Sequence, residues 1–198
     1  METLIIKPGI EKIMRLFYES KREIHLRDIA RKTKLNENSV TRFLRVLEKE
    51  KFLLSKKDGN LKKYNINRSK QVFSLFSLFD IWRFEKLPSL RKKSIEIFID
   101  KLNSVPVFAV LFGSSAKENF NKKSDIDLLI VVNGKIKTDK AEFETEAQTD
   151  LKIQCFQMDY NDFLLELKMK KEPVLQSAIK TGYPLINHIR YYEVIYYE

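Results

Sequence analysis

The chain has 198 residues, room for one large domain or two small ones, and its 43% hydrophobic and 32% charged residues are those of an ordinary globular protein. Five Gly and five Pro exclude collagen-like and linker-dominated chains, and 14 Phe with eight Tyr argue against wholesale disorder. The single cysteine, Cys155, can form neither an internal disulfide nor a zinc cluster, so a reducing cytoplasm is the expected compartment. Lys and Arg number 37 against 27 Asp and Glu, a formal charge of +10. Residues 1–70 hold 19 basic and 9 acidic side chains and the remainder 18 of each, so the whole excess, and the attraction to a polyanion it predicts, lies in the first third.

Pro8-Gly9 opens a first helix whose apolar residues fall at 10, 13, 14 and 17, the spacing of one helix face. Ile24 to Leu26 reads as a short extended piece and Arg27 to Lys34 as a compact helix burying Ile29 and Ala30. Asn36 is the expected N-cap of the next helix, in which Val40, Phe43, Leu44 and Leu47 share one face and Asn38, Ser39, Thr41, Arg42 and Arg45 occupy the other. Phe52 to Leu54 and Tyr64 to Ile66 read as strands about an Asp58-Gly59 turn flanked by Lys56, Lys57, Lys62 and Lys63.

This order of elements over roughly residues 9–67 resembles a winged helix-turn-helix domain. The resemblance implies double-stranded DNA as partner. Arg42 and Arg45 would reach base edges, Asn38, Ser39 and Thr41 would lie on the same DNA-facing side, and Lys56, Lys57, Lys62 and Lys63 would meet the phosphate backbone.

Ser69 to Phe84 carries nine apolar residues, more than one stripe accommodates, and must be covered on most sides by the chain itself or by a second copy; a homodimer is expected. Ser74, Ser77, Asp80 and Arg83 interrupt this stretch, which is too short and too polar for a membrane span, and no membrane partner is expected. Leu87-Pro88 breaks the chain before a further helix over Ser89 to Leu102. The domains read as 1–68, a connecting apolar helix 69–88, and 89–198.

Val107 to Phe112 is an apolar run of the kind a buried strand shows, and Gly113-Ser114-Ser115 follows it directly. Ten residues separate Ser114 from Asp125-Ile126-Asp127, which opens a second apolar run. On a strand, residues i and i+2 share a face, so both carboxylates can address one hard cation such as Mg²⁺ or Mn²⁺. A Gly-Ser turn beside them offers unobstructed amides and hydroxyls to phosphate. Metal and phosphate ligands together suit phosphoryl or nucleotidyl transfer.

Leu111-Phe112-Gly113-Ser114-Ser115-Ala116-Lys117 with Ser124-Asp125-Ile126-Asp127-Leu128-Leu129 closely resembles the signature of the DNA polymerase beta-type nucleotidyltransferases, over about residues 90–186. The resemblance implies an α+β chain: the winged domain followed by a mixed, mostly antiparallel sheet with helices on one side. It also implies a nucleoside triphosphate as donor, phosphate binding by Gly113, Ser114, Ser115 and Lys117, and metal binding by Asp125 and Asp127. Active members carry a third carboxylate on a later strand. Here the next strand candidate, Leu151 to Phe156, contains no acid, and Asp150 just before it is the nearest candidate for the third catalytic residue. Glu118 stands where glycine is common, which predicts a less open phosphate loop. Two functions follow: transfer of a nucleoside monophosphate to a hydroxyl acceptor, or a catalytically impaired nucleotide sensor or dimerisation module attached to a transcription regulator.

Farther on, Asp139 to Gln148 reads as helical or mobile, Asn161 to Leu167 and Pro173 to Lys180 as helices, and the tyrosine-rich tail from Ile189 to Glu198 as a strand. His25 and His188 have no clustered partners and read as ordinary side chains.

Overall fold

The computed structural model describes residues 6–59, 61–122 and 124–197; Asn60 of the hairpin and Glu198 of the tail lie outside them. The chain divides into two units, Met1–Phe76 and Ser77–Glu198.

In the first unit, α1 (Pro8–Ser20) starts with proline in its first turn and buries Ile13, Met14, Phe17 and Tyr18. Gly9 lies against the Phe43 ring, where a Cβ would come within 2.3 Å of ring carbon, so a bare α-carbon is needed for that contact. β1 (Ile24–His25) leads into α2 (Leu26–Thr33), which ends on Lys34 in the left-handed conformation. As expected, Asn36 caps α3 (Glu37–Lys49): its side chain accepts the Ser39 N–H at 2.8 Å. Val40, Leu44 and Leu47 are buried. β2 (Leu53–Asp58) and β3 (Leu61–Ile66) form the hairpin, and β1 joins it antiparallel in the order β1-β3-β2. The elements and their order are those of a winged helix-turn-helix.

α4 (Lys70–Glu85) crosses the boundary between the units. Its apolar excess is largely absorbed within the chain: Val72, Phe73, Phe76 and Phe79 are fully buried, while Ile81 is exposed.

The second unit continues with α5 (Ser89–Asp100), β4 (Phe108–Phe112), the single turn α6 (Gly113–Ala116), β5 (Ile126–Val132), α7 (Asp139–Thr149), β6 (Ile153–Asp159), α8 (Tyr160–Met169), α9 (Pro173–Thr181), β7 (Tyr183–Ile186) and α10 (His188–Tyr197). The sheet order is β6-β5-β4-β7, with β5 and β6 parallel and the other pairs antiparallel, the mixed, mostly antiparallel sheet anticipated. Leu111, Ile126, Leu128 and Ile153 turn one face toward Ile95 and Phe98 of α5 and Ala141 of α7. On the other face Phe108 packs edge-on against Phe163 of α8 and Tyr191 of α10, ring centroids 5.1 and 5.6 Å away, so two helices also cover part of this face. Burial pushes the Cys155 thiol up to about 12, leaving it a protonated core side chain at neutral pH.

The tail departs from its expected strand. Residues 188–197 form α10, because Tyr191, Tyr192 and Val194 reach a core that an extended tail on the sheet edge would not fill, and this packing outweighs β propensity. α10 is tied to α4 through Tyr192, whose hydroxyl lies 2.9 and 2.8 Å from the two oxygens of the fully buried Asp80. Loss of a hydrogen bond that leaves a buried polar group short of a partner costs about 1–3 kcal/mol. Tyr192→Phe is therefore expected to lower the thermal midpoint by roughly 5–10 °C, read by calorimetry; a shift under about 1 °C would show that the hydroxyl contributes nothing.

Candidate nucleotide site and nucleic-acid interface

β4 ends at Phe112, whose register partner on β5 is Asp127, so the turn at Gly113 forms directly beside the carboxylate. Gly113 has φ of +66°, and a Cβ there would stand 2.0 Å from Asp127 Oδ2. Glycine is required twice over, by the backbone conformation and by the carboxylate packed on its α-carbon. Ser114 is half-buried and Lys117 exposed. The first amides of α6 have no intrahelical acceptor. Glu118 adopts φ of +58°, a conformation that favours glycine, and its side chain is exposed.

Asp125 and Asp127 are both half-buried, one just before β5 and one at its second residue. Burial holds the Asp127 carboxyl above the usual carboxylate range; neighbouring Asp125 adds to this and Arg91 opposes it. Such a pair is relieved by a cation.

Two expected residues do not join the site as anticipated. Ser115 is buried and turns its hydroxyl inward, where it accepts from Arg91 Nη1 at 2.8 Å. Asp150 ends α7 in the left-handed conformation, exposed, with its N–H bonded to Glu146 O. Parallel pairing sets Gln154, not an acid, beside Asp127, and Ile126 N–H bonds Lys152 O one step earlier. Among the described residues no three His, Cys, Asp or Glu gather where they could hold a metal. Two carboxylates fit one hard cation that retains phosphate or water as its other ligands, as Mg²⁺ commonly does; they do not supply a cage for two.

Sequence reasoning missed Arg91. It lies on α5, only 3% exposed, and its one sequence signal was its place on the helix face of Ser94, Ile95 and Phe98, one turn or two before them. A cavity of about 620 Å³ in the same unit, lined among others by Ile81, Phe84, Ile95 and His188, contains none of the expected site residues. Burial lowers the pKa of His188.

In the first unit Asn38, Arg42 and Arg45 are exposed on the α3 face opposite Val40 and Leu44, with Ser39 and Thr41 half-buried between. Thr41 Oγ1 donates to Glu37 O at 2.8 Å. The four hairpin lysines do not share a surface. Lys56 pairs with Lys63 and Lys57 with Lys62 across the ladder, and the strand pleat sends the two pairs to opposite faces. The Lys57–Lys62 face is that of Leu53 and Ser55, whose hydroxyl reaches Glu48 of α3, and Lys62 is 3.6 Å from the same carboxylate. On the outer face Lys56 is ion-paired to Glu23 at 2.6 Å.

A helix-turn-helix with a wing, joined to a sheet that carries Gly-Ser and Asp-x-Asp on neighbouring strands, defines a DNA-binding protein with a nucleotidyltransferase-type domain. Residues 92–190 match the family of polymerase beta nucleotidyltransferases, and residues 12–55 match the IclR helix-turn-helix domain. The first match spans half of the chain, and the protein belongs to the polymerase beta-type nucleotidyltransferase family.

Three solved structures are similar to it. One is the homodimeric winged helix-turn-helix DNA-binding domain of a possible ArsR-family transcriptional regulator from Mycobacterium bovis, 22% identical over 41% of this chain and 73% of that one, with a TM-score of 0.35. Another is ZitR, a zinc-responsive MarR family member from Lactococcus lactis, 15% identical over 50% and 76%, with a TM-score of 0.32. The third is TrmBL2, an archaeal chromatin protein with a novel mode of DNA binding, 15% identical over 90% and 72%, with a TM-score of 0.31. No curated protein matches the chain. Among the described residues no helix is long and apolar enough to cross a membrane.

Proposed function

We propose that this protein is a cytoplasmic DNA-binding regulator whose nucleotidyltransferase domain takes up a nucleoside triphosphate with one divalent cation and transfers from it slowly or not at all. The observation that carries the reading is the strand register, Asp127 opposite Gln154, which supports a binding site over a complete two-metal transfer site. Asp125 and Asp127 would hold Mg²⁺ or Mn²⁺, which when bound neutralises phosphate charge. Gly113 keeps the approach to Asp127 open, the amides at the start of α6 and the Ser114 hydroxyl donate to phosphate oxygens, and exposed Lys117 balances the remaining charge. Gln154 is neutral and cannot take the proton of an attacking hydroxyl.

Calorimetric titration of each NTP with and without Mg²⁺, beside incorporation of labelled NTP, tests this. Saturable Mg²⁺-dependent binding lost in Asp125→Ala and Asp127→Ala, with little or no turnover, is expected. Rapid turnover by the unaltered chain would restore the transferase reading in full, and absence of binding would remove both.

For the DNA half, α3 is the proposed recognition helix, with Arg42 and Arg45 toward bases and Lys57 and Lys62 on the α3 side of the wing toward phosphates. Replacing both arginines by alanine is expected to weaken duplex binding on the order of 100-fold by fluorescence anisotropy. Affinity for duplex should fall steeply with salt, and a salt-independent affinity would exclude phosphate contacts. A homodimer belongs to the same reading, supported by Ile81, an apolar α4 side chain left 47% exposed.

A further inference from the structure

Among its described residues the segment from Gly113 to Asp125 contains one turn of helix and no strand, yet it must present the phosphate-binding turn and the first carboxylate together. Among the described residues, local hydrogen bonds along it include Lys117 N–H to Gly113 O, Asn119 N–H to Ser114 O and Ser124 N–H to Asn121 O at 3.2 Å, Asn121 N–H to Ser124 Oγ at 3.0 Å, and Glu118 N–H to Ser115 O at 3.4 Å. These bonds are internal to the segment, and Arg91 ties it to α5. From α5 its Nη1 donates to Ser115 Oγ at 2.8 Å, while Nη2 donates to Asn121 O at 3.0 Å and Ser124 O at 2.7 Å. The Phe120 ring lies 4.2 Å from the guanidinium carbon. One buried planar group thus touches the segment at four residues, the last immediately before Asp125. All three hydrogen bonds of the guanidinium go to neutral oxygens, and burial disfavours its charge while Asp125 and Asp127 favour it.

We infer that Arg91 is the positioning residue of the nucleotide site, holding the chain between the Gly-Ser turn and Asp125 in the shape that lets both face one metal-bound triphosphate. The inference rests on the nucleotide reading for its consequence, but the clamp itself is a property of the segment. Arginine is specific here because its fork reaches three acceptors in fixed directions, whereas a lysine ammonium cannot serve all three from one point. Its hydrogen bonds are to Ser115, Asn121 and Ser124, and the lysine variant keeps the positive charge that also acts on Asp125 and Asp127 while losing the fork.

Hydrogen exchange and MgATP titration on Arg91→Lys, Arg91→Met and Ser115→Ala test this. In Arg91→Lys the amides of Asn119 and Ser124 should exchange at least about tenfold faster while β4 and β5 amides keep their protection, and MgATP affinity should fall roughly tenfold, the effect of losing charged hydrogen bonds. Ser115→Ala keeps the buried charge and removes one acceptor, so a smaller change of the same kind, about threefold, is expected and decides the matter if Arg91→Met does not fold. Unchanged segment exchange in Arg91→Lys and Ser115→Ala overturns the proposal, as does loss of protection spread evenly over the sheet. If the unaltered chain binds no MgATP, the nucleotide reading fails, while the exchange measurements still decide whether Arg91 holds the segment.

Discussion

Gly113→Ala is expected to abolish Mg²⁺-dependent nucleotide binding in a protein that still folds. Two separate penalties act at this position. An alanine at φ of +66° costs about 1–2 kcal/mol in backbone conformation. Its methyl group would lie 2.0 Å from Asp127 Oδ2 and 2.9 Å from the carboxyl carbon, distances no side chain tolerates, so the carboxylate must rotate away or the turn must shift. Asp127 is the less constrained partner, being half-buried at the second residue of β5 with its backbone held in the ladder. A displacement on the order of an ångström at a ligand site costs roughly 100-fold. The sheet beneath is secured by Val110, Leu111, Leu128 and Leu129, all buried, and loses little. Isothermal titration with MgATP beside a denaturant melt separates the two effects, and near-normal affinity in Gly113→Ala would mean that the metal-bound nucleotide does not sit at this turn.

A gain of function is expected at Gln154. β5 and β6 run parallel with Asp127 opposite Gln154, and neighbours in register point to the same face, so Gln154→Asp adds a third carboxylate beside the first two. Gln154 is exposed, which keeps the desolvation penalty of the new charge small. The added acid raises the carboxyl pKa of Asp127 further in the absence of metal and supplies the missing ligand in its presence. Mn²⁺ affinity, followed by electron paramagnetic resonance, should rise roughly tenfold, and pyrophosphate release from NTP should rise by at least about as much if the rest of the site is intact. Unchanged Mn²⁺ affinity would show that the three positions do not converge and would return the question of the third acid to Asp150. Lys152→Ala provides the electrostatic control: removing an exposed cation near the strand start should change Mn²⁺ affinity only modestly.

The winged unit was almost wholly legible because its signals are short-range. Asn36 before an apolar face of period 3.6, Pro8 in the first turn and Gly59 directly after β2 each act within a few residues, where local propensity and packing agree, although Asp58 itself ends β2 opposite Leu61. The tail was misread for the opposite reason. Tyr191, Tyr192 and Val194 suit a strand by propensity, and only Phe108 and Asp80, 83 and 112 residues away, make a helix the conformation that buries them.

The +10 charge confined to the first third retains its meaning for DNA, but strand pleat divides the wing lysines between two faces and ion pairs occupy Lys56 and Lys62. By itself the sequence determined the two-part organisation, the α3 face, and the Gly113, Asp125 and Asp127 constellation, since each depends on spacing along one or two adjacent elements. The tertiary structure alone decided that Gln154 and not Asp150 is the register neighbour of Asp127, that Ser115 faces inward, and that Arg91 holds the segment between them. Those outcomes depend on strand register and on contacts spanning 24 to 33 residues, which no local periodicity encodes.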